Sequence, residues 1–130
     1  MKYNFIDSSF LISLLTENEK NNQHSCEISE NINEYRVINN IVLSETLNGI
    51  RRYEKRVDLN KIYTIINEVM EIKYLKKSDY EEAVNIYGYY NGSINYSDCL
   101  ILKTMQDNNI NKILSYDDDF DKINGLQRIY

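Results

Sequence analysis

Short apolar runs alternate with segments of helical spacing along the chain, and this alternation limits the possible folds more than any other feature. Runs such as "YNFI" (3–6) and "NKILS" (111–115) have the length of a buried strand and are too short for a core helix. Strands separated by helices usually pair in parallel and are covered on both faces. The sequence therefore predicts an α/β protein, a three-layer α/β/α sandwich with a central, mostly parallel sheet.

The same pattern predicts approximate boundaries for each element. The predicted strands are 3–6, 35–39, 72–75, 111–115 and 126–129. The predicted helices are 8–15, 18–34, 40 to 53 or 56, 59–71, 78–90 and 96–108. Ser8 is expected to cap the first helix, Asn39 or Asn40 the third, and a capping box in "SDYE" (78–81) the fifth. With 130 residues and no linker or repeat, we expect a single domain over 1–130.

Composition excludes several classes of protein. The formal charge is −5, whereas a protein that coats nucleic acid duplexes is usually basic. An acidic chain can still recruit phosphate through a bound divalent cation. His24 is the only histidine and is expected at the surface, which rules out most histidine-based triads. With no signal peptide or membrane span in the sequence, we expect a cytoplasmic protein with no membrane association.

Two aspartates follow predicted strands. Asp7 comes directly after the first strand, and Asp117 follows "KILS". Ligands of open α/β sheets bind beyond the carboxyl ends of the strands, so both residues lie where chemistry is expected. Each of them is equally well explained as a helix cap.

Asp98 is more informative because it lies in the first turn of the helix 96–108, in line with the apolar stripe of that helix. A helix dipole favours an acid there, but a carboxylate on an inward face needs a partner. No basic residue lies within a turn on that face, so a bound cation is the better explanation. Glu45 borders the apolar face of the third helix and would alone be an ordinary helix carboxylate.

Four acids on four separate elements can converge on one point. Hard oxygen ligands select Mg²⁺, with Mn²⁺ as a substitute, rather than zinc. A carboxylate cluster that holds such ions suits phosphodiester hydrolysis and needs no histidine base.

Three stretches resemble PIN domains, and among them the small toxins of VapC type: "FIDSSFLISLL", "VLSETLNGI" and "NYSDCLILKTMQDNNINKILSYDDDFDKINGL". The resemblance implies a Mg²⁺-dependent endoribonuclease with a parallel sheet in an α/β/α sandwich. It also implies an RNA substrate, a homodimer and a small inhibitory antitoxin. The family's acidic quartet maps onto Asp7, Glu45, Asp98 and Asp117, supported by the polar positions Ser8 and Ser115. The chain departs from the family at Asp118, where a neutral or basic residue is usual.

The acidic turn "LSYDDDFD" (114–121) offers four aspartates for one ligand position. We expect Asp117 to be the ligand, because it lies where the turn leaves the sheet, and Asp118 to point away. Phe120 is expected to anchor the turn in the core. Asp119 is then expected to cap a short helix or hydrogen-bond the loop and so to support the ligands, and Asp121 is expected to face solvent or to support the ligands as well.

Basic residues cluster in "RRYEKR" (51–56), which is either a solvated helix end or an RNA contact. The candidate contacts are Arg51, Arg52, Tyr53, Lys55 and Arg56, with phosphate contacts from the cations and stacking on the tyrosine.

Three alternative classes were weighed. A receiver domain needs an acidic pair after the first strand, and a haloacid dehalogenase phosphatase needs an aspartate at the position of Ser9. A non-catalytic PIN-like module for RNA binding or assembly is the alternative that stays open. Such modules usually lose an acid, whereas this chain keeps all four.

Overall fold

Five short strands form one parallel sheet in the computed structural model, which describes residues 2–130. The strands are β1 (Tyr3–Ile6), β2 (Tyr35–Asn39), β3 (Glu71–Lys73), β4 (Lys112–Leu114) and β5 (Gln127–Ile129). Their order across the sheet is β3-β2-β1-β4-β5, and each neighbouring pair is parallel. The predicted α/β fold with a parallel sheet is confirmed.

Within residues 2–130, six α-helices and one short 3-10 helix connect the strands. The helices are α1 (Ser8–Leu15), α2 (Asn22–Glu30), α3 (Asn40–Tyr53), α4 (Leu59–Val69), α5 (Lys77–Tyr89), α6 (Tyr96–Asp107) and the 3-10 helix Asp118–Lys122. Most predicted boundaries hold within two residues. The exception is α2, which was predicted over 18–34 and is observed over Asn22–Glu30, so both of its ends are wrong by four residues. At its start, the side-chain amide of Asn22 donates to the carbonyl of Ser13 at 2.8 Å.

Two helix caps were predicted at the wrong residue. The first helix begins at Ser8, so its cap position is occupied by Asp7. The fifth helix begins at Lys77, and the carboxylate of Asp79 accepts the backbone N–H of Lys76 at 2.8 Å. An acid three residues after the cap position satisfies that N–H, so Ser78 lies inside the first turn of the helix rather than before it.

The central strands are buried on both faces. Phe5, Val37 and Ile113 are fully buried, and β1 is continuously buried from Asn4 to Ile6. Continuous rather than alternating burial is expected of parallel strands that helices cover on both sides. Nothing helical between residues 2 and 130 is long and apolar enough to span a membrane.

The strand order reverses between β1 and β4. Successive strands β1, β2 and β3 extend the sheet in one direction, and β4 and β5 extend it in the other. The backbone N–H of Asp7 donates to the carbonyl of Leu114 at 3.0 Å, so β1 and β4 end at the same level. Ligands of open α/β sheets bind in the crevice at such a switch point.

Candidate metal centre

Carboxylates from four elements meet at this switch point. Oxygens of Asp98, Asp117 and Asp119 lie within 4.8 Å of one another. Asp7 and Glu45 are near enough for their charges to act on Asp98 as well. Of the four acids predicted from the sequence, the structure thus brings Asp98 and Asp117 into this close group, together with Asp119, and places Asp7 and Glu45 near the group but outside it.

Asp7 is held by two serine hydroxyls. Its Oδ2 accepts a hydrogen bond from Ser115 Oγ at 2.7 Å and another from Ser9 Oγ at 2.9 Å. The same hydroxyl oxygens accept the backbone N–H groups of Asp117 (3.0 Å, Ser115) and Tyr116 (3.1 Å, Ser9). The end of β1 and the acidic turn after β4 are therefore fixed to each other through the side chains of these serines.

Burial dominates the electrostatics of Asp7, which is 5% exposed. Desolvation raises the pKa of its carboxyl, and the charge of Asp117 raises it further. The hydrogen bonds from Ser115 and Ser9 stabilise the charged form and oppose that rise. The net effect is a raised pKa, which means that the folded protein destabilises the ionised form of this carboxylate when no cation is bound.

The supporting hydroxyl next to Asp7 belongs to Ser9 rather than to the predicted Ser8. Ser8 contributes only its backbone N–H to Asp7. The sequence "DSS" offers both hydroxyls, and only the start of the helix at Ser8 decides which one turns back to the carboxylate. Ser115 lies where the family resemblance placed it, in contact with Asp7.

Asp98 has the most perturbed carboxyl of the group. It is 6% exposed, and its Oδ2 has no hydrogen-bond partner among residues 2–130. Burial first, and then the charges of Asp7, Asp117, Glu45 and Asp119, raise its pKa to about 8. A buried carboxylate that faces only other carboxylates requires either a proton or a cation.

Glu45 reaches the cluster from α3, which an asparagine holds in place. Asn39 accepts the backbone N–H of Val42 at 3.0 Å as the helix cap, and its amide donates to Thr104 of α6 at 3.0 Å. This buried bridge ties α3 to the helix that carries Asp98. Glu45 is exposed as a residue, yet desolvation and the charge of Asp7 both raise the pKa of its carboxyl.

The acidic turn folds around Phe120, which is fully buried as predicted. Asp117 Oδ1 accepts the backbone N–H of Asp119 at 2.9 Å, so Asp117 is the cap of the 3-10 helix and the predicted cap role of Asp119 was wrong. Asp119 instead directs its carboxylate to the cluster and forms an exposed ion pair with Lys122 at 2.8 Å. Asp118 is exposed and lies outside the cluster.

Asp117→Asn is expected to cause the largest loss within this turn, at least about ten-fold to a hundred-fold in Mg²⁺ affinity or activity. Asparagine caps a helix as well as aspartate does, so the turn itself should survive the change. Asp119→Asn should cause a smaller loss, and Asp118→Asn, the matched control, almost none. Titrating Mg²⁺ against each variant tests this order. If Asp118→Asn caused the largest loss, the assignment of Asp117 as the metal ligand of this turn would be wrong.

Asp121 does not join the cluster but braces the turn through Arg128. The guanidinium of Arg128 donates to both carboxylate oxygens of Asp121, at 2.9 and 2.8 Å, and to the carbonyl of Ser115 at 3.3 Å. The Arg128 side chain is 7% exposed and lies over the ring of Tyr130. The last strand is thus connected to the residue that orients Asp7.

Arg128→Gln is expected to raise the Mg²⁺ concentration needed for half-saturation about ten-fold, the effect typical of losing a residue that orients a ligand. Arg128→Lys keeps the charge but loses the two-pronged geometry, so its effect should be nearly as large. Lys61→Gln, which removes an exposed positive charge on α4, is the control. Unchanged Mg²⁺ affinity in Arg128→Gln would show that the brace has no part in ligand placement.

The basic residues at 51–56 divide into two groups. All five candidates are exposed, at the end of α3 or just beyond it. Arg52 and Tyr53 line a pocket that also contacts Ser9, whereas Arg51, Lys55 and Arg56 do not line it.

The residues present fit a hard divalent cation. All the candidate ligand atoms are carboxylate oxygens, which suit Mg²⁺ or Mn²⁺. Mg²⁺–O distances of about 2.0–2.1 Å place opposite ligands roughly 4 Å apart, near the spacing of the three aspartates. The unpartnered Oδ2 of Asp98 is the atom that most needs such a partner.

The fold and the site together define an α/β protein with a parallel sheet and an acidic cluster at its switch point, and this cluster fits a divalent cation. The PIN domain family model matches residues 5–126, and the chain belongs to that family. No curated protein sequence matches the chain.

Solved structures of a VapC toxin and of toxin–antitoxin complexes share the fold. The Mycobacterium tuberculosis toxin VapC20, described as cleaving the sarcin-ricin loop, has a TM-score of 0.81 at 16% identity and covers 92% of this chain and 93% of its own. A toxin–antitoxin complex from Klebsiella pneumoniae gives 0.74 at 18% identity, with coverages of 98% and 96%. VapBC2 from Rickettsia felis, bound to promoter DNA, gives 0.69 at 17%, with coverages of 98% and 97%. The predicted resemblance to PIN domains of VapC type is confirmed at the level of family and fold.

Proposed function

We propose that the chain is a Mg²⁺-dependent endoribonuclease and the toxin of a toxin–antitoxin pair. The observation that carries the proposal is the convergence of Asp7, Glu45, Asp98 and Asp117 at the switch point, with one buried carboxylate oxygen left unpartnered. Membership of the PIN family and the VapC-type fold support the same activity.

In this proposal Asp98, Asp117 and Asp119 hold the cation, with Asp7 and Glu45 completing the acidic set. A bound divalent cation supplies a Lewis acid for the phosphate and lowers the pKa of water. Ser115 and Ser9 keep the carboxylate of Asp7 oriented towards the crevice, so that its geometry does not have to reorganise during the reaction. The crowded carboxylates repel RNA until a cation neutralises them, which makes substrate binding dependent on metal.

The experiment is incubation of purified protein with mixed RNA in Mg²⁺ and in EDTA. Asp98→Asn protein purified in parallel controls for contaminating ribonuclease. Cleavage that requires both Mg²⁺ and Asp98 supports the proposal. Binding of RNA without cleavage would favour the alternative, a non-catalytic PIN-like module, and sequencing the 5′ ends of fragments would identify the substrate.

The proposed partners follow from the same family. We expect a small antitoxin that covers the acidic crevice, with an Arg or Lys side chain paired to the carboxylates, and a cytoplasmic homodimer formed by a single domain over 1–130. Complexes of toxin and antitoxin among the similar structures support the first of these. Cleavage that no neighbouring small protein inhibits would instead indicate a free-standing ribonuclease.

A further inference from the structure

A pocket of about 210 Å³ opens beside the acidic cluster, between α1, the turn after α1 and the C-terminal end of α3. Ser9 and Tyr116 form the wall that the pocket shares with the cluster. Ser9 Oγ donates to Asp7 at 2.9 Å, and Tyr116 immediately precedes Asp117 in the chain. Any group in this pocket therefore lies next to the proposed cleavage site.

The size of the pocket limits its occupant. Pockets for drug-sized ligands have volumes of about 300–1,000 Å³, so this one holds a single ring system rather than a longer molecule. The remaining walls combine one aromatic ring, charged and amide side chains and an apolar part, contributed by Tyr53, Arg52, Lys20, Glu19, Asn21, Ile12 and Gly49. Aromatic faces, a guanidinium plane and a side-chain amide are the groups that recognise unpaired nucleobases.

Part of this pocket is rigid. The ring of Tyr116 stacks on Phe10 with 5.5 Å between centroids, and its hydroxyl pairs with His24 Nδ1 at 2.8 Å. Because the wall is already fixed, an entering group does not have to order it. Tyr53 is 43% exposed, so part of its ring remains available for contact.

Polar recognition groups are also available. The Asn21 side-chain amide makes no cap hydrogen bond, although the backbone N–H of the same residue pairs with Glu19. An amide offers both donors and an acceptor, which suits the edge of a base. Arg52 and Lys20 outnumber Glu19, the one acid in the pocket wall, although the net charge of the protein is −5, so phosphate flanking the base would meet net positive charge.

We propose that this pocket holds the base of a nucleotide beside the scissile phosphate. The inference rests on the proposed function and adds a substrate class to it: RNA in which that base is unpaired and turned out of the helix. Single strands and loops are then substrates, and a continuous duplex is a poor one, because its stacked bases do not reach the pocket.

Binding is measured separately from cleavage, with Asp98→Asn protein in Mg²⁺ and a fluorescein-labelled RNA octamer. An abasic site is moved through the octamer one position at a time. One position should weaken binding roughly five-fold to a hundred-fold, the range that corresponds to stacking of one base. The other positions should change affinity much less.

Matched variants identify the pocket as the place where that base binds. Tyr53→Ala should weaken the binding of the intact octamer and remove the loss of affinity that the abasic site causes. Tyr63→Ala should do neither. Tyr53 and Tyr63 are 43% and 44% exposed, so the two changes remove similar surface. Arg52→Gln is compared with Lys61→Gln, which removes one exposed positive charge on α4.

Gly49 provides a variant that fills the pocket without touching a recognition group. A Cβ at this position would overlap the side chain of Ile12, which lines the pocket. Gly49→Ala should therefore displace Ile12 and reduce the abasic penalty. Its melting curve is recorded, and Tyr53→Ala decides the question if Gly49→Ala does not fold.

The outcomes separate this inference from the proposed function. If no abasic position alters affinity, the inference is overturned, even when wild-type protein cleaves RNA. The pocket would then be a candidate binding site for a protein partner instead of a base. If one position matters and Tyr53→Ala abolishes the difference, the pocket is a base-binding site, and this result holds even when wild-type protein cleaves nothing and the proposed function fails. Equal effects of Tyr53→Ala and Tyr63→Ala would also overturn it.

Discussion

Asp98→Asn and Asp7→Asn are each expected to reduce the proposed Mg²⁺-dependent RNA cleavage by at least about 100-fold to 1,000-fold. Asp98 contributes the buried, unpartnered oxygen, and Asp7 joins the two sides of the crevice through the hydroxyls of Ser115 and Ser9. Asparagine matches aspartate in size but not in charge, so it cannot neutralise a divalent cation. Turnover is measured at saturating Mg²⁺ to separate lost activity from weakened metal binding.

Asp118→Asn is the matched control for both variants, since it changes the same residue type on the exposed side of the acidic turn. It should retain near wild-type turnover. Melting curves of all three variants show whether the fold survives. Near wild-type turnover in Asp98→Asn or Asp7→Asn would remove that residue from the proposed site.

Asp98→Asn is also expected to stabilise the metal-free protein. The folded protein raises the pKa of Asp98 from its ordinary value of 3.8 to about 8, so between these pH values the folded state binds a proton that the unfolded state has released. Stability in EDTA therefore falls as pH rises through this window, and the variant lacks the penalty. At pH 7 the difference is on the order of 2–4 kcal/mol, or roughly 5–15 °C in Tm.

The measurement is thermal unfolding of both proteins in EDTA and in Mg²⁺, from pH 5 to pH 8. The gap in Tm should widen with pH in EDTA. Mg²⁺ should raise the Tm of wild type more than that of Asp98→Asn, because ligand that binds only the folded state stabilises it. Equal Mg²⁺ shifts in the two proteins would contradict a ligand role for Asp98.

The fold was largely predictable because each strand is a short apolar run that helices bury on both faces. The strand at 35–39 agrees residue for residue, since its apolar residues are bounded by polar ones. The start of α2 was not predictable, because residues 16–21 are as polar as the helix that follows. The helix begins where the side-chain amide of Asn22 donates to the carbonyl of Ser13 in α1, and a tertiary contact of that kind leaves no periodic signal.

The site was predictable where burial conflicts with charge. Asp98 stands out in the sequence because its carboxylate shares a helix face with apolar residues. Asp119 does not stand out, because only the 3-10 geometry capped by Asp117 turns its carboxylate to the cluster. The choice of Ser9 over Ser8 likewise depends on where the first helix begins. The roles of all these residues in catalysis remain predictions.

The strand order also determines when this site can exist during synthesis. β1 is made first and lies at the centre of the sheet, but its neighbour β4 emerges more than a hundred residues later. At about 5–20 residues per second, the edge of β1 that β4 covers stays unpaired for several seconds. A ribosome-bound fragment that ends before β4 carries Asp7, Glu45 and Asp98 but lacks Asp117 and Asp119. The acidic cluster is therefore incomplete in every nascent chain that ends before the turn after β4.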